Sequence, residues 1–284
     1  MKKLLTGLFL SVLVLALAAC GAGKKEETGS SSSSSDSDSK ENVTLTVGAS
    51  NTPHAVILEK AKPILAKEGI DLNIETYQDY VLPNQHLESG ELDANYFQHL
   101  PFLELSMKEN GYDFVNAGAI HIEPIGIYSK KYKSLDDLPK GATILLSSSV
   151  ADHGRMLSLL EAKGLIKLKD GVDKTAAEIK DIAENPKNLK FDANTAPEML
   201  VQMYENNEGD AVLINSNFAI DNGLNPLKDA ISLEDKESPY VNIIAVRAGD
   251  ETKPEIKKLV EALKSKEIQD FIIEEWKGSV VPVK

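Results

Sequence analysis

The sequence predicts an α/β protein built as two similar lobes, and three observations carry that prediction. From residue 43 onward, short apolar runs of strand length alternate with segments of helical periodicity. The alternation restarts after Pro124. Two segments, 87–97 and 203–218, repeat one order: a helix end, a glycine (Gly90, Gly209), an Asp-Ala pair (Asp93-Ala94, Asp210-Ala211), an apolar strand, then amide or aromatic side chains. Each repeat places polar groups at the carboxyl end of a strand, where open α/β sheets bind ligands.

The elements follow in order. A strand over 45–49 closes on Gly48-Ala49-Ser50. Thr52 and Pro53 read as the N-cap and first residue of a helix. Val56, Ile57, Lys60, Ile64 and Leu65 follow at helical spacing, and Gly69 stops the helix. The first half continues with a strand over 72–76, a helix over 82–89 ended by Gly90, and a strand over 94–97. A helix over 100–108 ended by Gly111 and a strand over 114–117 complete it. The second half gives strands over 125–129 and 143–146 and a helix over 151–163 with Met156, Leu157, Leu159 and Leu160 inward. A strand over 189–192, a helix over 196–205 and a strand over 211–215 follow. The chain ends with a strand over 241–246 and helices over 255–263 and 268–276.

The first residues read as an address rather than as fold. Lys2 and Lys3 precede an apolar stretch over 4–19, about four residues too short for a bilayer span and laid out like a secretory signal. It ends in Leu17-Ala18-Ala19-Cys20-Gly21, which resembles a bacterial lipobox, with cleavage before Cys20 and diacylglycerol on its thiol. Diacylglycerol carries two acyl chains, the number a stable anchor requires. Residues 21–42 hold no hydrophobic residue other than Ala22, and 30–35 is a serine run. Such a segment buries too little apolar area to fold, so 20–42 is expected to be a disordered tether with a reach of roughly 25 Å.

Composition narrows the chemistry. Against 31 Lys+Arg stand 44 Asp+Glu, a net charge of −13 that repels phosphate backbones and argues against nucleic acid as a partner. The single cysteine excludes a disulfide framework and a thiolate zinc site. No G-x-S-x-G, G-x-x-x-x-G-K-[ST], H-E-x-x-H or G-x-G-x-x-G motif is present. None of His54, His86, His99, His121 and His153 sits two or four residues from another, so neither a metal site nor a cofactor is expected.

Two places look able to hold a small ligand. Arg155, one of only two arginines, follows a strand end and a hydroxyl-rich loop, Ser147-Ser148-Ser149, at the start of a helix. A guanidinium there can take a carboxylate in a bidentate fork, or it can be a structural ion pair. The cluster Asn95-Tyr96-Phe97-Gln98-His99-Leu100-Pro101-Phe102 is either an aromatic pocket wall with a polar tip or core packing. Alternation puts Asn95, Phe97 and His99 on one side, and Tyr96 and Gln98 on the other.

The chain as a whole resembles the substrate-binding lipoproteins of methionine ABC importers, the NlpA type. The resemblance runs from Val43 to Lys284 plus the lipobox. It is carried by Tyr80-Val81-Leu82-Pro83-Asn84, by Gly90-Glu91-Leu92-Asp93-Ala94-Asn95-Tyr96-Phe97-Gln98-His99 and by His121-Ile122-Glu123-Pro124. Further matches are Gly164-Leu165-Ile166-Lys167-Leu168, Glu184-Asn185-Pro186-Lys187-Asn188-Leu189 and Ser238-Pro239-Tyr240-Val241-Asn242.

The resemblance implies a two-lobed periplasmic-binding-protein fold, type II-like, that closes about a hinge. Lobe 1 would be 43–124 completed by 241–284, and lobe 2 would be 125–240. It implies a monomer that binds methionine or a close analogue outside the membrane, without catalysis, and delivers it to an ABC permease and its ATPase. Tyr80, Phe97 and His99 would surround the side chain, Arg155 would take the α-carboxylate, and Asn215 and Asn242 would contact the polar end. Asn217 is a weaker candidate. Where the family reads roughly Pro-Asn-Asp-x-x-Asn ahead of the arginine, this chain has Ser147-Ser148-Ser149-Val150-Ala151-Asp152-His153-Gly154. That change on the expected carboxylate side leaves D-methionine, a methionine dipeptide or another amino acid open as ligand. A lyase using His99 and Glu123, and a surface adhesin, are the readings from other classes.

Overall fold

In the computed structural model, residues 42–235 and 238–283 are described; the signal segment 1–19, Cys20 and the tether up to residue 41 lie outside them. The chain opens with strand β1 (Val43–Ser50), an irregular helical turn (Asn51–Ala55) and helix α1 (Val56–Lys67). Next come β2 (Ile70–Tyr77), α2 (Leu82–Ser89), β3 (Ala94–His99), α3 (Leu100–Asn110) and β4 (Phe114–Ile122). Then follow β5 (Gly126–Tyr128), β6 (Thr143–Ser147), α4 (Val150–Ala162), and the short pair β7 (Lys167–Leu168) and β8 (Ile182–Glu184). The chain proceeds through β9 (Lys190–Thr195), α5 (Leu200–Glu205), β10 (Ala211–Ile214), α6 (Ser216–Asp221), α7 (Pro226–Asp229) and β11 (Ala230–Leu233). It ends with β12 (Val241–Arg247), α8 (Pro254–Leu263), α9 (Lys266–Trp276) and β13 (Val281–Pro282).

Two separate sheets result, and this is the two-lobed α/β architecture. One has the order β13-β4-β12-β3-β1-β2, the other β11-β5-β10-β6-β9. Each has three parallel strands on one side and antiparallel pairing on the other: β1 pairs parallel with β2 and β3, and β6 parallel with β9 and β10. The chain passes between the sheets twice, after β4 and before β12. Each sheet has its own apolar core. Leu45, Val47, Tyr96 and Ile244 pack with Leu58 of α1, Leu259 of α8 and Ile272 of α9. Ile127, Ile144 and Leu213 pack with Met156, Leu157 and Leu160 of α4.

The repeat seen in the sequence is a structural device used once per sheet. Asp93 N donates to Thr46 O, and Asp93 Oδ2 accepts from Thr46 N, both at 2.8 Å. Asp210 does the same to Thr143, at 2.7 and 2.8 Å. In each case an aspartate clips the incoming strand to its parallel neighbour, and the glycine before it has positive φ, 84° at Gly90 and 65° at Gly209. Both strands then run to a carboxyl end that faces the space between the sheets.

Three expectations need correction. Thr52 is extended and the Thr52–Pro53 peptide is cis, so the first helix begins at Val56 rather than at Pro53. The helix expected over 196–205 is a tight turn at Pro197–Met199 followed by α5. Gln98 donates to Asn95 Oδ1 at 2.8 Å, so the two share a side; the register of β12 against β3 slips between Asn242 and Ile244, and simple alternation fails there.

Gly154 tests how tightly α4 is seated. A Cβ at this position would stand 2.5 Å from the carbonyl oxygens of Lys174 and Thr175. Alanine gains up to about 1 kcal/mol of helix propensity, but overpacking against backbone costs about 1–3 kcal/mol. Gly154→Ala is therefore expected to lower stability in urea unfolding; a more stable variant would show that the 174–175 loop yields freely.

Candidate functional site

Between the sheets lies a cavity of about 380 Å³, counting the part open to solvent. All six residues singled out from the sequence line it: Tyr80, Phe97, His99, Arg155, Asn215 and Asn242. The weaker candidate Asn217 lines it too, and so do Gln98, Phe102, Glu123, Asp152 and Ser216. Every one of these comes from a strand end, a helix start or a crossing segment. Phe97 and His99 end β3, Asn215 and Asn217 follow β10, Asp152 and Arg155 lie one turn apart on α4, and Glu123 sits where the chain leaves β4.

One end of the cavity is aromatic. Tyr80 packs on Phe97, Phe102 and Phe218 with ring centroids 6.0, 5.9 and 4.9 Å away. Its hydroxyl donates to Asn217 Oδ1 at 2.7 Å, so Tyr80, which follows β2, reaches a residue that follows β10. Burial raises the Tyr80 pKa well above 10, so the hydroxyl keeps its proton. Phe102 belongs to the aromatic–amide cluster that the sequence marks, whereas nothing there marks Phe218; its contact with Tyr80 exists only once the two sheets meet.

The other end is charged. Arg155 is 3% exposed. Its Nε donates to both carboxylate oxygens of Glu234, at 3.1 and 3.0 Å, and Nη2 donates to Glu234 and to the carbonyl of Glu123. The ring of Tyr240 lies 4.9 Å from its Cζ. Of the two readings the sequence leaves open for this guanidinium, the ion pair is present: the Nε–Nη2 edge holds Glu234, and Nη1 is the nitrogen without a hydrogen bond among the described residues. Burial alone would lower the Arg155 pKa, but Glu234 outweighs it and holds the pKa above the ordinary value. Glu234 lies 79 residues away in an acidic stretch, where nothing in the sequence marked it.

His99 is oriented by its backbone. Its Nδ1 accepts from Phe102 N at 3.2 Å, capping α3, which leaves the proton on Nε2, 3.5 Å from Asp152 Oδ1. Burial pushes the Asp152 carboxyl up, but His99, Arg155 and Asn215 outweigh it and keep the pKa below the usual range. Asn215 Nδ2 donates to Asp152 Oδ2 at 3.3 Å, while Asn215 Oδ1 is buried without a partner among the described residues. Only Asp152 of the 147–154 stretch reaches this cavity and flanks the charged end; Ser148, Ser149 and Val150 line a neighbouring one instead.

Behind the cavity, the fold brings together three groups that the histidine spacing did not. His54, His121 and Glu123 lie with ligating atoms within 4.8 Å of one another. His121 Nε2 donates to Glu123 Oε1 at 2.7 Å, and its Nδ1 accepts from the Tyr96 hydroxyl. His54 Nε2 lies 3.0 Å from Asn242 Oδ1 and 3.2 Å from Glu123 Oε1. Burial lowers His54 to about 4 and His121 to about 3, and it raises Glu123 against the pull of His54 and Arg155. The imidazoles are neutral at pH 7 and spend their Nε2 hydrogens on oxygen, the behaviour of a buried hydrogen-bond network.

Two α/β lobes around a small cavity with an aromatic end and a charged end define a substrate-binding protein. The family model described as NlpA lipoprotein matches residues 45–284, and the chain belongs to that family. It is 55% identical over 241 residues to the methionine-binding lipoprotein MetQ of Bacillus subtilis strain 168, covering 84% of this chain and 88% of that protein. The structure of a pheromone cOB1 precursor/lipoprotein of the YaeC family from Enterococcus faecalis V583 superposes with a TM-score of 0.82 at 60% identity, over 84% of this chain and all of that one. A nutrient-binding protein of Burkholderia cenocepacia bound to methionine superposes with a TM-score of 0.80 at 43% identity, over 84% of this chain and all of that one.

The buried histidines set an acid limit on stability. Both titrate near pH 6.5 when unfolded and below about 4 when folded, so protons favour the unfolded chain as pH falls below 6.5. The full effect is about 1.4 kcal/mol per pH unit for each histidine. The raised Glu123 acts with the opposite sign above its ordinary value of 4.5 and offsets part of it. The melting temperature is expected to drop between about pH 7 and pH 5; a flat profile across that window would contradict the neutral-histidine network.

Proposed function

We propose that this chain is an extracytoplasmic binding protein for methionine or a close analogue, without catalytic activity. The observation that carries the reading is the pairing of Arg155 Nη1 with the orphaned acceptor Asn215 Oδ1 in one buried cavity. A buried acceptor without a donor is costly, and an α-ammonium supplies the donor. The α-carboxylate then meets Nη1, Asp152 adds charge for the ammonium, and Tyr80, Phe97 and Phe102 surround the thioether, for which sulfur–aromatic contact is favourable. His99 and Asn242 complete the wall at the polar end.

In this reading, lobe 1 is 43–124 with 241–284, lobe 2 is 125–240, and the two passages between the sheets form the hinge. Cys20 anchors the protein by lipid outside the membrane, and it works as a monomer that hands ligand to an ABC permease and its ATPase. Among the described residues no helix is long and apolar enough to cross a membrane. The commitment of His99 Nδ1 to a helix cap, and of Glu123 to two histidines, supports binding rather than acid–base chemistry.

Protein unfolded and refolded to strip ligand is expected to gain roughly 5–10 °C in melting temperature with methionine at about 100 times its Kd. D-methionine, glycyl-methionine, leucine and glutamine in the same panel fix stereochemistry and class. No shift with any of them would overturn the amino-acid reading. In calorimetry, Asn215→Leu is expected to weaken binding by about 10–150-fold, the worth of a hydrogen bond to a charged group. Unchanged affinity in that variant would remove Asn215 from the ligand's polar end.

A further inference from the structure

Next to the cavity described above lies a second, larger one of about 1100 Å³, again counting the part open to solvent, at the mouth between the sheets. Tyr80 and Phe102 line both, and their rings form the shared wall. The outer cavity therefore backs onto the aromatic end, while Arg155, Asp152 and Asn215 do not line it. Neither ring belongs to a sheet: Tyr80 follows β2 and Phe102 stands in the first turn of α3, so they can part without breaking strand pairing.

The chemistry of the outer wall is specific. Tyr112 offers a ring face, Glu109 and Glu198 offer carboxylate acceptors, and Ser148 and Ser149 offer small hydroxyls that leave room. Val150 stands at its edge, 56% exposed. Such a wall suits a flat ring that carries hydroxyl or amino donors.

This inference rests on the amino-acid reading of the inner cavity, with the side chain toward Tyr80 and Phe102. We propose that the outer cavity is a subsite for a substituent on the ligand's sulfur. The protein then binds S-substituted homocysteines bearing a donor-rich cyclic group, in addition to methionine. The amino-acid part keeps the contacts of the inner cavity, and the substituent passes between the two rings.

The test is calorimetry on ligand-stripped protein with S-adenosyl-L-homocysteine as probe, alone and in competition with L-methionine. The expected result is one-to-one binding that L-methionine displaces. Val150→Trp, which narrows the outer cavity and leaves the inner one untouched, is expected to weaken the probe by at least about tenfold and leave L-methionine within about twofold. L-methionine binding with no response to the probe at about 1 mM would overturn the subsite and leave the amino-acid reading standing. Probe affinity unchanged in Val150→Trp would likewise overturn it. If neither ligand binds, the amino-acid reading fails and the subsite falls with it.

Discussion

The structure turns on one buried guanidinium. A charge placed at 3% exposure between two sheets is costly unless it is both paired and hydrogen-bonded. Arg155 meets that demand with Glu234 on one edge, the Glu123 carbonyl at one tip and the Tyr240 ring near its face. These partners come from the two stretches where the chain passes between the sheets. Glu234 also accepts from Ile125 N at 3.1 Å and from the Ser238 hydroxyl at 2.9 Å. One side chain of α4 thus gathers both crossings, and their positions fix where β3 and β10 point their carboxyl ends.

Much of this was legible in the sequence, and the reason is local. Helix stops at Gly90 and Gly111 hold because a positive φ closes a helix whatever surrounds it. The Asp-Ala repeat was readable because each aspartate bonds to an adjacent strand by a fixed geometry. The lining residues Phe97, His99 and Asn215 were found because they sit at strand ends. Glu234, Phe218 and the His54–His121–Glu123 network escaped because their roles come from partners far along the chain. Thr52–Pro53 misled for a similar reason: Ser-x-Thr-Pro is a helix start by composition, yet the chain turns there before α1 so that His54 reaches Glu123 and Asn242.

Charge in the cavity explains what class of ligand it selects. Arg155 already has a resident counter-ion in Glu234, and Asp152 and Glu123 line the cavity with it. A ligand bearing only a carboxylate would add a fourth anionic group to one guanidinium in a dry space, where like charges cost most. In the amino-acid reading proposed above, a zwitterion adds no net charge, and its ammonium would answer both Asp152 and the orphaned Asn215 oxygen. The pairing of Arg155 with Glu234 therefore works against simple carboxylic acids, and it also keeps the guanidinium compensated when no ligand is bound. Selectivity for an amino acid arises less from the arginine, which any carboxylate would satisfy, than from the surplus of acceptors placed around it.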